Sequence, residues 1–280
     1  MWPRLELTAN TIQKLDYCLK VLQMNSGLLS FYLKKPDGAE FKELLSDHIE
    51  TALNGLWSLS DSRIIMFARS IMRNADFERL LRLAIIFHDS GKAFFQKNLK
   101  KLKNGEEYLS FAGHEFVSAI LADTFIRELN IETMYEVYLA VPFSVLYHHH
   151  AMNPRLREEQ NLAYVCKIVS ENYSRYSNEL KNTLEKFLEK DEREVLKKCM
   201  ERLWFEKQSI LSPAYLRYNL KKKLDEAFIK EYRPEFQKIA FLLLDSLIVC
   251  DYIAAQKRGA EASSTFSKAA RMFYNIWFGR

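Results

Sequence analysis

Six histidines stand in this chain, His48, His88, His114 and the run His148-His149-His150, and imidazole with carboxylate is the donor set that first-row divalent cations prefer. His88 is followed directly by Asp89 in Phe-His-Asp-Ser-Gly-Lys, at the end of an apolar run where side chains emerge from a core. Lys92 lies four residues beyond His88, on the same side if one helical turn persists. His114 opens a further helical stretch in Ala-Gly-His-Glu-Phe. Asp251 sits in Leu-Ile-Val-Cys-Asp-Tyr-Ile-Ala-Ala, where an ionised carboxylate is costly unless a cation or donors meet it. Each residue also has an ordinary reading. His48 could be a surface histidine of an amphipathic helix, Asp251 could pair with a lysine, and the triple His could be an exposed helix end. No histidine falls outside a single scheme, however, and that joint arrangement favours a metal centre.

The elements that must carry these residues are helical. Apolar residues recur at three- and four-residue spacing near 9–24, 39–59, 62–72, 76–89, 113–129, 132–149, 160–208, 213–231 and 234–257. Asp76 is placed to cap the helix that ends at His88, and Pro234 fits the first turn of the helix it opens. Pro142 should kink or restart the helix before the triple His, and Pro154 should keep residues 150–159 irregular. Residues 98–112 read as a basic loop, and the mixed charges of 171–207 as a solvated helix face. With 8 Gly, 6 Pro and no hairpin-bounded alternation, the fold class expected is all-α. No repeat or linker divides the 280 residues, so 1–280 is read as one domain.

Composition excludes several classes. Cys18, Cys166, Cys199 and Cys250 form no CxxC pair, which speaks against a zinc ribbon or disulfide framework and suits reduced thiols in a cytoplasm. The N-terminal Met-Trp-Pro-Arg-Leu-Glu-Leu has no apolar h-region, so no signal peptide is expected. The apolar stretch Ile239 to Ala255 is broken by Asp245 and Asp251 and reads as too short and charged for a membrane span. A net charge of +5 permits a polyanionic partner. Lys97, Lys100, Lys101 and Lys103 follow the His-Asp helix closely enough to steer a phosphate backbone, whereas Phe94 and Phe95 read as core rather than base-stacking rings.

Taken in order, the motifs resemble the HD superfamily, and more narrowly the stand-alone HD nuclease of type I CRISPR interference. Gly91-Lys92 and then Phe95-Gln96 match the family's run after the HD pair, with a shorter spacer. Gly113-His114-Glu115-Phe116-Val117-Ser118-Ala119 resembles its third-histidine helix, and Cys250-Asp251-Tyr252-Ile253 its final motif, with Cys250 where many members have Ala. Pro154 stands four beyond His150, so His149 and His150 match the family's histidine pair and His148 is left over. Ala255 replaces a common Ser, which puts a hydroxyl contact to phosphate there in doubt. No GxxxxGK[ST] loop is present, so the helicase fused to many members is absent from this sequence.

The resemblance implies an HD-type helical domain with additional C-terminal helices and two divalent ions (Mn, Mg, Co, Ni or Fe). His48, His88, Asp89 and Asp251 would hold one ion, and His114, His149 and His150 the second, with Asp89 bridging. Two cations roughly 3.5–4 Å apart suit phosphodiester hydrolysis. Lys92 would neutralise a phosphate oxygen or orient the nucleophile. The substrate implied is single-stranded DNA, with RNA or duplex as further possibilities, and the partners are a separately encoded helicase and the CRISPR effector complex, with no membrane. The alternatives are an HD phosphohydrolase of nucleotides, which manages with one metal, and a non-catalytic HD module.

Overall fold

A computed structural model describes residues 27–56, 59–129, 135–149, 162–230, 233–256 and 265–279. The expected helix at 9–24, the irregular 150–159, Cys18 and His150 lie outside them.

Helix α3 (Phe77–Phe87) is the centre of the fold. Asp76 caps it, its side chain accepting from the Arg79 amide at 3.0 Å. The apolar spacing is dense enough that Leu80, Leu81, Leu83, Ala84, Ile85, Ile86 and Phe87 are all wholly buried. Full burial of such aliphatic side chains contributes about 1.5–3 kcal/mol apiece, which locks this helix against its neighbours. Those neighbours are α1 (Leu45–Asn54), α2 (Arg63–Ile71), α4 (His114–Glu128), α6 (Ala140–Tyr147) and the long α10 (Pro234–Gln256). The short α5 (Tyr135–Tyr138) precedes α6, and Pro142 falls in the first turn of α6, so the proline restarts the helix there. Pro234 likewise opens α10.

Helices α7 (Leu162–Leu184) and α8 (Lys190–Ile210) divide a stretch that the periodicity predicts as continuous over 160–208. No glycine or proline marks the break at 185–189. It is set by burial: Leu188 enters the core, and Glu192 is wholly buried between Arg79 and Arg82 of α3. The 213–231 stretch winds as π-helix over Tyr215–Lys221 and Glu226–Lys230 around α9 (Lys222–Asp225). Its buried residues, Leu216, Leu220, Leu224 and Phe228, repeat every fourth position, and the wider winding keeps them on one side. After α10 comes α11 (Thr265–Trp277). Cys166, Cys199 and Cys250 are buried free thiols.

The helical frame carries a small antiparallel sheet that the sequence reading omits. Strands β1 (Leu29–Lys34), β2 (Glu40–Leu44), β3 (Leu99–Lys101) and β4 (Glu107–Leu109) are ordered β2-β1-β4-β3. Residues expected at the start of a 39–59 helix form β2, and those expected as a basic loop form the β3–β4 hairpin. Both turns carry legible signals, Pro36-Asp37-Gly38 and Asn104-Gly105. The strands they join are too short and too mixed in polarity to register as alternation.

Helix α10, 23 residues long with an 18-residue window of mean hydropathy 1.7, is by length and composition alone long and apolar enough to cross a membrane, contrary to the expectation from its interrupted apolar stretch. Here it packs against α1, α3 and α6 and carries Asp251 into the protein interior.

Candidate metal centre

Five helices deliver histidine or aspartate to one buried place. His48 comes from the interior of α1, His88 caps the C-terminus of α3 and Asp89 follows it, His114 opens α4, His148 caps α6 with His149 beside it, and Asp251 projects from α10. Their ligand atoms form two sets, His48–His88–Asp89–Asp251 and Asp89–His114–His148–His149, in each of which all lie within 4.8 Å of one another. Asp89 belongs to both. Its Oδ2 stands 3.4 Å from Nε2 of both His48 and His88, while its Oδ1 is 2.9 Å from His114 Nε2 and 3.9 Å from His148 Nε2. Asp251 Oδ1 lies 3.0 Å from His48 Nε2.

His148, which the sequence reading leaves over, is therefore a member of the second set. As the C-cap of α6 its ring turns inward and is wholly buried, whereas His149 is half-buried. His150, read as a ligand from the spacing to Pro154, lies outside the described residues.

Hydrogen bonds to the backbone fix which nitrogen faces the cluster. His88 Nδ1 lies 2.7 Å from Ile85 O, His114 Nδ1 2.7 Å from Phe111 O, and His148 Nδ1 2.6 Å from Val145 O. A carbonyl can only accept, so each Nδ1 carries a proton and each ring, when neutral, presents its Nε2 lone pair. These lone pairs meet other acceptors. His88 Nε2 faces His48 Nε2 at 3.3 Å, and buried His148 Nε2 has no hydrogen-bond partner. Converging lone pairs around two buried carboxylates repel one another unless a cation stands among them, so the donor set fits divalent metal.

The charges are arranged the same way. Burial would raise Asp89 and Asp251, but Lys92, His88 and His114 hold the first carboxyl, and His48 and His88 the second, well below the ordinary range. Burial would lower His88, yet Asp89 and Asp251 push it up to about 10, while burial and the neighbouring charge of His88 push His148 down to about 3. His88 thus keeps a second proton whose charge offsets the carboxylates; a divalent cation in that place would release it and leave the ring neutral with its Nε2 lone pair free.

Several supporting residues carry no signal in the sequence. His48, lying mid-helix, cannot use its own turn's carbonyls as the other three do; its Nδ1 instead faces Glu43 Oε2 of β2 at 3.3 Å. Glu43 is held in turn by Ser30 Oγ at 2.7 Å, where β1 shifts register between Leu29 and Phe31. Only the tertiary pairing of β1 and β2 reveals this, since a glutamate five residues before a histidine carries no signal. Glu115 Oε2 lies 3.5 Å from His114 Nδ1.

The Gly91-Lys92 pair has a steric and an electrostatic reason. A Cβ at Gly91 would come within 2.3 Å of His114 O, and the Gly91 amide donates to Ser118 Oγ at 2.8 Å, so glycine lets the 3₁₀ turn Ser90–Phe95 press against α4. Gly113, at φ +89° and against Val165, starts α4 at the angle that turns His114 inward. Lys92 is buried, with Nζ 2.6 Å from Asp89 Oδ2. Gln96 bonds Lys92 O and both backbone groups of Leu29, tying β1 to the same turn. Phe94 and Phe95 are core residues. Lys100, Lys101 and Lys103 are exposed and Lys97 half-buried on the β3–β4 hairpin, outside both ligand sets.

Residues 63–171 match the HD domain family. The match covers less than half of the chain and includes His88, Asp89, His114, His148 and His149; His48 and Asp251 lie outside it, brought in by α1 and α10. HD domains are helical and typically metal-dependent hydrolases. An HD domain with His/Asp clusters able to hold metal suggests a metal-dependent phosphohydrolase. No curated protein and no solved structure matches the chain.

Proposed function

We propose that this protein is a two-metal nuclease that hydrolyses phosphodiester bonds of single-stranded DNA, acting in the cytoplasm in type I CRISPR interference beside a separately encoded helicase and effector complex. The observation that carries the nuclease reading is the shared carboxylate: Asp89 turns one oxygen to each of two ligand sets. Bound divalent ions would supply Lewis acidity and a more acidic water for in-line displacement at phosphorus. His48, His88, Asp89 and Asp251 would hold one, and Asp89, His114, His148 and His149 the other. Lys92 holds Asp89 in place through its 2.6 Å contact and keeps positive charge beside the reacting phosphate. The Ile85, Phe111 and Val145 carbonyls hold protons at Nδ1 of three rings, leaving Nε2 unprotonated for its ligand role. The CRISPR setting rests on the sequence resemblance.

The test joins metal analysis to substrate choice. Purified protein loaded with manganese should hold two equivalents and degrade single-stranded DNA, with chelator abolishing the activity. One equivalent, with hydrolysis of nucleotides and none of DNA, would replace this reading with a nucleotide phosphohydrolase.

A further inference from the structure

The small sheet distributes its charges unequally between its faces. Directly paired residues of an antiparallel sheet project to the same side, and successive residues alternate. The pairs Tyr32↔Lys42, Lys34↔Glu40, Lys34↔Glu107 and Lys101↔Glu107 therefore build one face. On it opposite charges meet: Lys42 Nζ lies 2.8 Å and Lys34 Nζ 3.5 Å from Glu40. The pairs Phe31↔Glu43, Leu33↔Phe41, Leu33↔Tyr108 and Lys100↔Tyr108 build the other.

That second face is aromatic and basic. Phe41 is 40% exposed, Phe31, Leu33 and Tyr108 are half-buried, and Lys100 is exposed with no acidic partner among the described residues. Lys35, continuing the alternation of β1, sets its ammonium 5.1 Å from the centre of the Phe41 ring. The acid among these residues is Glu43, and its carboxylate turns to His48. The face thus begins at Glu43, which touches His48, and continues across Phe31, Phe41 and Tyr108 to Lys35 and Lys100.

We infer that this face is the track on which single-stranded nucleic acid lies as it reaches the metal centre, bases stacking on Phe41 and Tyr108 and phosphates meeting Lys35 and Lys100. The inference rests on the nuclease reading above. Partly exposed rings accept unpaired bases of any sequence, and lysines that make no ion pair among the described residues are left to neutralise a polyanion. A duplex, whose bases are already stacked, offers these rings nothing. The track divides the hairpin lysines: Lys100 contributes, whereas Lys101 belongs to the opposite, charge-paired face.

Fluorescence anisotropy with labelled oligothymidylate and oligouridylate, in chelator so that nothing is cleaved, tests it. Phe41→Ala and Tyr108→Ala should each weaken binding about fivefold or more. Lys100→Ala should weaken it less and reduce the salt dependence by about 0.7 in log–log slope. Lys42→Ala, on the paired face, should change affinity by less than about twofold, the scale of an exposed charge. The deoxyribose and ribose probes show which sugar the track prefers. Unchanged melting temperature and manganese binding would establish that the ring variants fold. A wild type that cleaves DNA while both ring variants bind like it would overturn the track alone. A wild type that neither binds nor cleaves either polymer would overturn the nuclease reading and the track together.

Discussion

Asp89 carries three demands at once: it faces His48 and His88 with one oxygen, His114 with the other, and accepts from Lys92. A ligand shared by two sets cannot be lost from one alone. Asp89→Ala should therefore take hydrolysis to background while the helical far-UV circular dichroism survives; full activity in that variant would end the proposed chemistry. Glu43 acts one step further out. Its carboxylate orients His48 through Nδ1, and partners of that kind are worth about 10–100-fold in metal affinity. Glu43→Ala should weaken manganese binding by that factor, measured by calorimetry, with Glu43→Gln recovering part of the loss because the amide oxygen still accepts. Equal binding in wild type and both variants would remove Glu43 from the site. The sequence could point to the ligand histidines because their types are rare and chemically committed. It could not point to Glu43, because glutamate is common and its role depends on a strand pairing. Nor did spacing to Pro154 order the triple His: position at the end of α6 decides that His148 turns inward.

At the level of elements, two contacts between distant segments hold the helices, the first of them at the site. The 3₁₀ turn meets α4 at Gly91, where an added methyl would stand 2.3 Å from His114 O. Gly91→Ala should cost at least about 1–3 kcal/mol, the range for overpacking, and should also lower metal affinity because His114 shifts with its helix. A thermal melt and a metal titration check both effects. The second is α8 against α3, through buried Glu192 between Arg79 and Arg82. Burial raises this carboxyl, but Arg82 and Arg79 hold it below its usual 4.5. Its stabilisation is thus complete above the unfolded value and is lost as pH falls through the lower, folded one. Glu192→Ala should destabilise by about 1–3 kcal/mol near neutrality, since it removes the buried partner of two half-buried arginines, of which Arg82 keeps Glu189 and the Phe187 carbonyl. The gap between variant and wild type should narrow in acid, as followed by denaturant unfolding at several pH values. Helices were legible in the sequence wherever an apolar stripe ran on, as at 76–89, and a capping Asp76 marked the start. The break at 185–189 was not, because no turn residue makes it and only the burial of Leu188 and Glu192 does.

For the whole molecule, candidate ligands drawn from α1, α3, α4, α6 and α10 would make a metal held among them a clasp on the core. Metal that binds only the folded chain must stabilise it, by about 2.7 kcal/mol when its concentration is a hundredfold above the dissociation constant. Manganese should raise the melting temperature and chelator should reverse the rise, an effect that Asp251→Ala, which leaves the second set intact, should reduce and Asp89→Ala should abolish. No shift in the wild type would mean that these histidines do not hold metal.

The sequence by itself determined the helical class and the chemistry available, because helix periodicity is local and a His/Asp inventory needs no neighbours to be read. Tertiary structure decided what no local rule contains. It set Asp251 beside His88 across 163 positions of chain, turned Glu43 onto His48, and gave the sheet one charge-paired and one aromatic, basic face. Those outcomes follow from strand register and the direction in which each helix ends, and both are fixed only when distant segments bury one another.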